Sequence, residues 1–152
     1  MTFLEHRIPP PVIFALVALL MWWGAREATP VDLNPALRIA LIVAFAAVAV
    51  VTPLGLREFA RAKTTFNPIK IDDASNLVTG GVFRYTRNPM YVGMASLLLA
   101  WAVYLAVPWT LLGPVAFVAF ITRFQIIPEE RVMRAKFGAV YDDYARRVRR
   151  WV

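Results

Sequence analysis

Residues 37–56 read LRIALIVAFAAVAVVTPLGL, and Arg38 is the only charge among them. An α-helix rises about 1.5 Å per residue, so a run of about twenty apolar residues matches the roughly 30 Å of hydrocarbon in a bilayer. Thr52-Pro53 near its end predicts a kink, because proline removes a backbone donor and crowds the preceding turn. Outward from this block lie three more of the same kind, at residues 8–25, 90–107 and 109–127. The fold expected is an all-α integral membrane protein with about four transmembrane helices.

Composition agrees. Of 152 residues, 59% are hydrophobic and 18% charged, against about 45–50% and 25% in an ordinary soluble domain. The length suits a single membrane domain over 1–152, with residues 1–56 as scaffold helices and 57–152 as the working core. There is no cysteine and one histidine, His6. Disulfides, thiolate nucleophiles and Cys/His metal sites are thereby excluded, and no metal is expected. The net charge of +7 reads as orientation in the membrane and contact with anionic lipid, with no nucleic acid as partner.

The charge is unevenly placed. Residues 57–89 carry Arg57, Arg61, Lys63, Lys70, Arg84 and Arg87, and the tail carries Arg131, Arg134, Lys136, Arg146, Arg147, Arg149 and Arg150. The turn between the first two spans has only Arg26 and Arg38, against Glu27 and Asp32. A two-span hairpin joined at Pro108-Trp109 separates the two basic regions, so they share a side. The positive-inside rule makes that side cytoplasmic, together with both termini. Pro9-Pro10-Pro11 opens the first span and Trp22-Trp23 closes it at the far interface, without a small-residue cleavage pattern, so no cleavable leader is expected.

After Pro128 the pattern becomes amphipathic. Glu130, Arg134, Phe137, Tyr141, Tyr144 and Val148 step by fours and threes, which predicts one face of a C-terminal helix. Such a helix serves either as an interfacial element under the bilayer or as the cover of a site.

Two segments on the same side carry possible chemistry. In Thr79-Gly80-Gly81-Val82-Phe83-Arg84-Tyr85-Thr86-Arg87-Asn88-Pro89-Met90-Tyr91-Val92-Gly93, the glycines permit close backbone approach to a carboxylate or phosphate, and Arg84 and Arg87 add positive charge. An ordinary turn with positive-inside arginines reads the same way. Pro128-Glu129-Glu130-Arg131 sets two carboxylates at a membrane boundary, either as a helix-start pair or as groups that recognise an amine or sulfonium. Arg123 and Gln125 fall near the end of the fourth span; snorkelling explains Arg123, and Gln125 is placed to line a pocket.

The run Arg87-Asn88-Pro89-Met90-Tyr91-Val92-Gly93 resembles the Arg-His/Asn-Pro-x-Tyr-x-Gly signature of the isoprenylcysteine carboxyl methyltransferase family. Phospholipid N-methyltransferases and small bacterial membrane thiol methyltransferases have related signatures. The tail resembles it too, with Glu129-Glu130, Phe137-Gly138, Tyr141, Tyr144 and Val148-Arg149-Arg150-Trp151 in the family's order. The resemblance covers about residues 50 to 152. It implies a methyl donor, S-adenosylmethionine, bound at the cytoplasmic ends of the last helices, and a lipophilic or amphipathic acceptor presenting a carboxylate, thiol or amine. It implies that Arg87, Asn88, Pro89, Tyr91, Gly93, Glu129, Tyr141 and Tyr144 form the cofactor pocket. Glu130 would orient the acceptor or sulfonium, and Arg150 would hold an anionic acceptor. Two positions depart from the pattern: Val82 follows Gly81 where the family has proline, and Asn88 stands where the isoprenylcysteine enzymes have histidine. Asparagine hydrogen-bonds but does not titrate near neutral pH, so no general base is expected there. The chain has the look of a bacterial inner-membrane protein.

Two rival readings remain. An NADPH-dependent membrane enzyme like the sterol reductases has a similar C-terminal signature, but also a tail cysteine that this chain lacks. A non-enzymatic helical membrane assembly or lipid-binding protein would leave Arg87, Tyr91, Glu129 and Glu130 dispersed.

Overall fold

The computed structural model describes residues 8–61 and 77–152, all helical or irregular with no strand among them. His6, Lys63 and Lys70 lie outside the described residues. Among the described residues seven α-helices run in order: α1 (Pro10–Ala25), α2 (Pro35–Val48), α3 (Val51–Arg61), α4 (Pro89–Leu105), α5 (Leu112–Ile121), α6 (Ile127–Phe137) and α7 (Ala139–Arg147).

The helix starts reflect local chemistry. Pro10, Pro35 and Pro89 occupy first-turn positions, where a missing amide hydrogen leaves no bond unmade. The Asn34 side chain accepts from Ala36 N at 3.0 Å and Leu37 N at 3.2 Å, a cap worth about 1 kcal/mol. The expected kink near Pro53 appears as a break at Ala49–Val50 between α2 and α3. The proline ring displaces the Ala49 carbonyl from regular α-bonding, and Thr52 N closes a tight turn onto it at 3.0 Å.

Helix α4 is the centre of the bundle and packs against α1, α2, α3 and α5. Leu98, Phe117, Ile121 and Ile126 have no exposed surface, and Phe14 meets Phe117 edge-on at 6.4 Å. Outside this core the bundle wears apolar side chains, among them Leu16, Leu19 and Leu20 on α1, Ile39 and Val43 on α2, and Leu112 and Val115 on α5. That surface suits hydrocarbon rather than water. Two helical stretches, Pro35–Glu58 and Pro108–Phe137, are long and apolar enough to cross a membrane, while Pro10–Ala25 and Pro89–Leu105 are apolar but shorter.

The bundle has two distinguishable ends. At one, Val31 N donates to Ala106 O at 2.7 Å, and Arg38 donates to the Tyr104 carbonyl while lying over the Tyr104 ring. At the other, Gln125 Nε2 donates to Ile8 O at 2.8 Å, which sets the start of α1 beside the end of α5. The short helical turn Gly81–Arg84 packs against α3 at this same end.

The tail differs from expectation in two ways. Pro128 does not separate the fourth span from the tail helix. A π-helical turn over Thr122–Ile126, with Ile127 N bonded to Thr122 O, carries α5 into α6 without interruption. The wider turn makes room for the proline ring, which would otherwise collide with a carbonyl one turn back. The second difference is a break at Gly138, where φ 53° and ψ −129° end α6 and start α7. Of the six residues read as one helical face, Glu130, Arg134 and Phe137 therefore lie on α6, Tyr141 and Tyr144 on α7, and Val148 just beyond it in extended backbone. A Cβ at Gly138 would meet nothing within 4 Å, so glycine is required there by backbone angle rather than by space.

Candidate active site

The start of α4, the start of α6 and the end of the chain meet at one point. Asn88 precedes Pro89 and cannot continue a helix backwards, so residues 85–88 turn away from α4. Arg87 N donates to Arg149 O at 3.0 Å. The Asn88 amide donates through Nδ2 to Arg150 O at 2.8 Å, and Thr86 Oγ1 reaches the same carbonyl at 3.4 Å. Thr86 also accepts from Asn88 N at 3.1 Å. The segment before α4 thus pairs with the carbonyls of Arg149 and Arg150 at the end of the chain.

Ionic groups close the junction. Arg150 donates to both Glu130 oxygens, Nε at 2.8 Å and Nη2 at 2.7 Å. This is the forked geometry in which guanidinium and carboxylate bind most strongly. Arg87 Nη1 lies 3.2 Å from Glu130 Oε1 and donates to Tyr141 OH at 3.2 Å. Two guanidiniums therefore face one carboxylate, leaving an excess of one positive charge. Arg87 Nε is buried and, among the described residues, has no hydrogen-bond partner. One residue away, Tyr91 OH donates to Glu129 Oε1 at 2.6 Å.

Helix α7 covers this arrangement. Tyr141 and Tyr144 pack with Phe83, and Tyr144 OH donates to Phe83 O at 2.8 Å. Burial pushes the Tyr144 phenol well above its ordinary pKa, outweighing the opposing pull of Arg87. Burial likewise raises Tyr141, helped by the nearby Glu130 charge and opposed by Arg87. Both phenols stay neutral through the physiological range and serve as hydrogen-bonding groups rather than bases. The Glu130 hydrogen bond raises Arg150 further above its already high value.

The predicted residues divide into three sets. Arg87, Asn88, Tyr141, Glu130 and Arg150 make one bonded cluster, and Tyr91 with Glu129 sits beside it. Tyr144 belongs to the packing of α7 on Phe83. Pro89 and Gly93 face the other way. A Cβ on Gly55 of α3 would lie 3.0 Å from the Pro89 ring, and a Cβ on Gly93 would overlap Thr52 Oγ1. The glycine pair does approach a carboxylate, but it is the chain's own Glu58: a Cβ on Gly81, at φ 55°, would lie 2.7 Å from Glu58 Cδ. Three contributors escaped the sequence reading. Thr86 is buried within the bonded junction. The Phe83 carbonyl anchors Tyr144. Trp151 Nε1 donates to Thr122 Oγ1 at 3.1 Å and fastens the chain end to the π-turn. Thr86 and Trp151 lie inside the two quoted motifs, which was the available signal; a backbone acceptor such as Phe83 O leaves none.

A family model described as phospholipid methyltransferase matches residues 37–140. A 63-residue uncharacterized protein of Haemophilus influenzae is 40% identical over its whole length, which covers 41% of this chain. Two rice proteins, from Oryza sativa subsp. indica and subsp. japonica, each named a probable protein-S-isoprenylcysteine O-methyltransferase, are 33% identical over 102 residues. Those matches cover 65% of this chain and 52% of each rice protein, so it spans about half of their length. No solved structure matches it at a significant level.

Proposed function

The chain belongs to the phospholipid methyltransferase family, and from that premise we propose that it moves a methyl group from S-adenosylmethionine to a lipophilic or amphipathic acceptor at the Arg87–Glu130–Arg150 end of the bundle. The observation that carries this reading is the buried Arg87 Nε, which has no hydrogen-bond partner among the described residues. A buried donor left unmet costs about 1–3 kcal/mol, and an incoming carboxylate, such as that of the donor's amino-acid portion, would satisfy it. Glu129, partly buried and held by Tyr91, offers the complementary negative charge for an amine or sulfonium. The residues present therefore suit the charges of S-adenosylmethionine.

When bound, that donor supplies a methyl group already activated on a sulfonium, so positioning rather than covalent catalysis is what the protein must add. Arg87 binds, Glu129 and Tyr91 orient, and Tyr141 and Tyr144 hold α7 over the junction. Both Glu130 oxygens are occupied by Arg150, so Glu130 works as the residue that positions the two guanidiniums, and Arg150 remains the choice for holding an anionic acceptor. Asn88, spent on the Arg150 carbonyl, takes no proton. A carboxylate acceptor needs no base, while a thiol or amine acceptor must lose its proton elsewhere. Four membrane crossings, with both termini and this site on the cytoplasmic side of an inner membrane, complete the proposal. Arg57, Arg84, Arg87, Arg147 and Arg150 line this site or the cavities beside it, and that gathering of positive charge supports the cytoplasmic side.

Calorimetric titration of S-adenosylmethionine into the detergent-purified chain, with NADPH as control, tests it. Binding of the first alone is expected, weakened about tenfold or more by Arg87→Ala. Binding of NADPH alone would transfer the chain to the reductase reading. Binding of neither in the presence of lipid would leave the non-enzymatic reading, against which the meeting of Arg87, Tyr91, Glu129 and Glu130 at one point now counts.

A further inference from the structure

Beside the Gly81–Arg84 turn two shallow cavities share Arg84. One, of about 390 Å³, is lined by Thr79, Gly80, Arg84, Tyr144, Arg147 and Val148. The other, of about 500 Å³, is lined by Arg57 and Arg84 together with Leu54, Glu58, Val82 and Tyr85. Arg57, Arg84 and Arg147 are all exposed, and among the described residues none of the three is ion-paired. Three like charges gathered on one rim repel one another, and nothing in the proposed methyl-transfer site uses them. Glu58, the acidic residue of the second cavity, lies beneath Gly81, so the more positive part of the surface is between Arg84 and Arg147.

We propose that this surface binds an anionic phospholipid, its phosphate between Arg84 and Arg147 and its glycerol end along Leu54, Val82 and Tyr85. Charge complementarity selects the headgroup, and place in the fold selects a lipid over a free anion. Leu54 and Arg57 are one turn apart on the end of the stretch Pro35–Glu58, of whose apolar window only 6% is covered by the rest of the protein. Leu54 and Tyr85 are 40% and 78% exposed, apolar and aromatic surface at the level where a membrane helix gives way to charge. An arginine at such a surface favours anionic lipid by about five-fold, and two by about twenty-five-fold. Tyr144, fixed to Phe83 O, forms a wall shared with the cover of the other site, so lipid held here would also hold α7 in place.

The inference rests on the proposed membrane placement but not on methyl transfer. The full chain in neutral detergent is titrated with phosphatidylglycerol, with phosphatidylcholine and with inorganic phosphate, and bound lipid is read by native mass spectrometry without methyl donor. Phosphatidylglycerol is expected to bind one-to-one and more tightly than phosphatidylcholine. The Arg84→Gln, Arg147→Gln double variant should weaken it about twenty-five-fold and Arg57→Gln about five-fold. Arg26→Gln, at the opposite end, should change nothing. Equal binding of the two lipids, or unchanged affinity in the double variant with an unchanged unfolding temperature, would overturn the proposal. Displacement of the lipid by equimolar inorganic phosphate would overturn it in favour of a free anion. A chain that binds this lipid but no methyl donor would count against the methyltransferase reading alone.

Discussion

At Gly93 helix α4 comes so close to the α2–α3 break that a methyl group has no room. It would overlap Thr52 Oγ1 and lie 3.2 Å from Ala49 O. Gly93→Ala is therefore expected to lower stability by about 1–3 kcal/mol, the usual cost of overpacking, in thermal unfolding of the detergent-solubilised chain. Adding Thr52→Ala should recover at least half of the loss, because it removes the overlapped atom; additive losses would show that the two positions do not press on each other. Glu130 makes a different demand. Glu130→Gln leaves two guanidiniums facing no charge, and about 2 kcal/mol of stability should go. That is less than for a fully buried pair because Arg150 is 37% exposed. If Glu130 positions the two arginines, Glu130→Asp should retain part of the donor affinity that Glu130→Gln loses, and the donor KM should move more than kcat. Equal donor KM in the three proteins would reduce Glu130 to a structural role.

Among the elements, α7 is the one whose attachment decides whether the site is covered. It is held by Tyr144 on Phe83 O, by Arg134 on Asp142 at 2.7 Å, and by the chain end beyond it. Its direction is set at Gly138. A side chain there must adopt positive φ, which costs about 1–2 kcal/mol for a residue other than glycine. Gly138→Ala should loosen α7 while leaving the bundle intact. Faster amide exchange across residues 139–147 and weaker donor binding are expected, with little change in the α4 and α5 amides. Equal exchange in both proteins would mean that α7 is held by its contacts alone. The tail's amphipathic spacing was legible in the sequence, but the break was not, because Phe137-Gly138 fits a helix end and a helix interior equally well until the angles are known.

For the whole molecule, the two ends of the bundle are the testable quantity. The native chain has no cysteine, so single substitutions report sides without background. Val140→Cys, on α7, should react with an impermeant thiol reagent only from the cytoplasmic side of inner-membrane vesicles, and Thr29→Cys, between α1 and α2, only from the other; both positions are exposed. Reaction of both from one side would remove the proposed arrangement of four crossings.

The sequence by itself determined the apolar runs, their order, the short turn at Pro108 and the two motifs with the arginines inside them. Hydropathy, length and proline position are properties of contiguous residues, so no contact need be known to read them. Only the tertiary structure decided which motif residues reach the site. Successive helix positions turn about 100°, so Tyr91 and Gly93, two apart, point to nearly opposite sides. The tyrosine meets Glu129, and the glycine admits Thr52. Glu129 and Glu130, adjacent in sequence, are likewise parted, one to Tyr91 and the other to Arg150. The pairing of residues 86–88 with the carbonyls of Arg149 and Arg150 joins segments more than sixty residues apart. Its acceptors are backbone carbonyls that every residue carries, so no local pattern announces where the Thr86 and Asn88 side chains and the Arg87 amide find their partners.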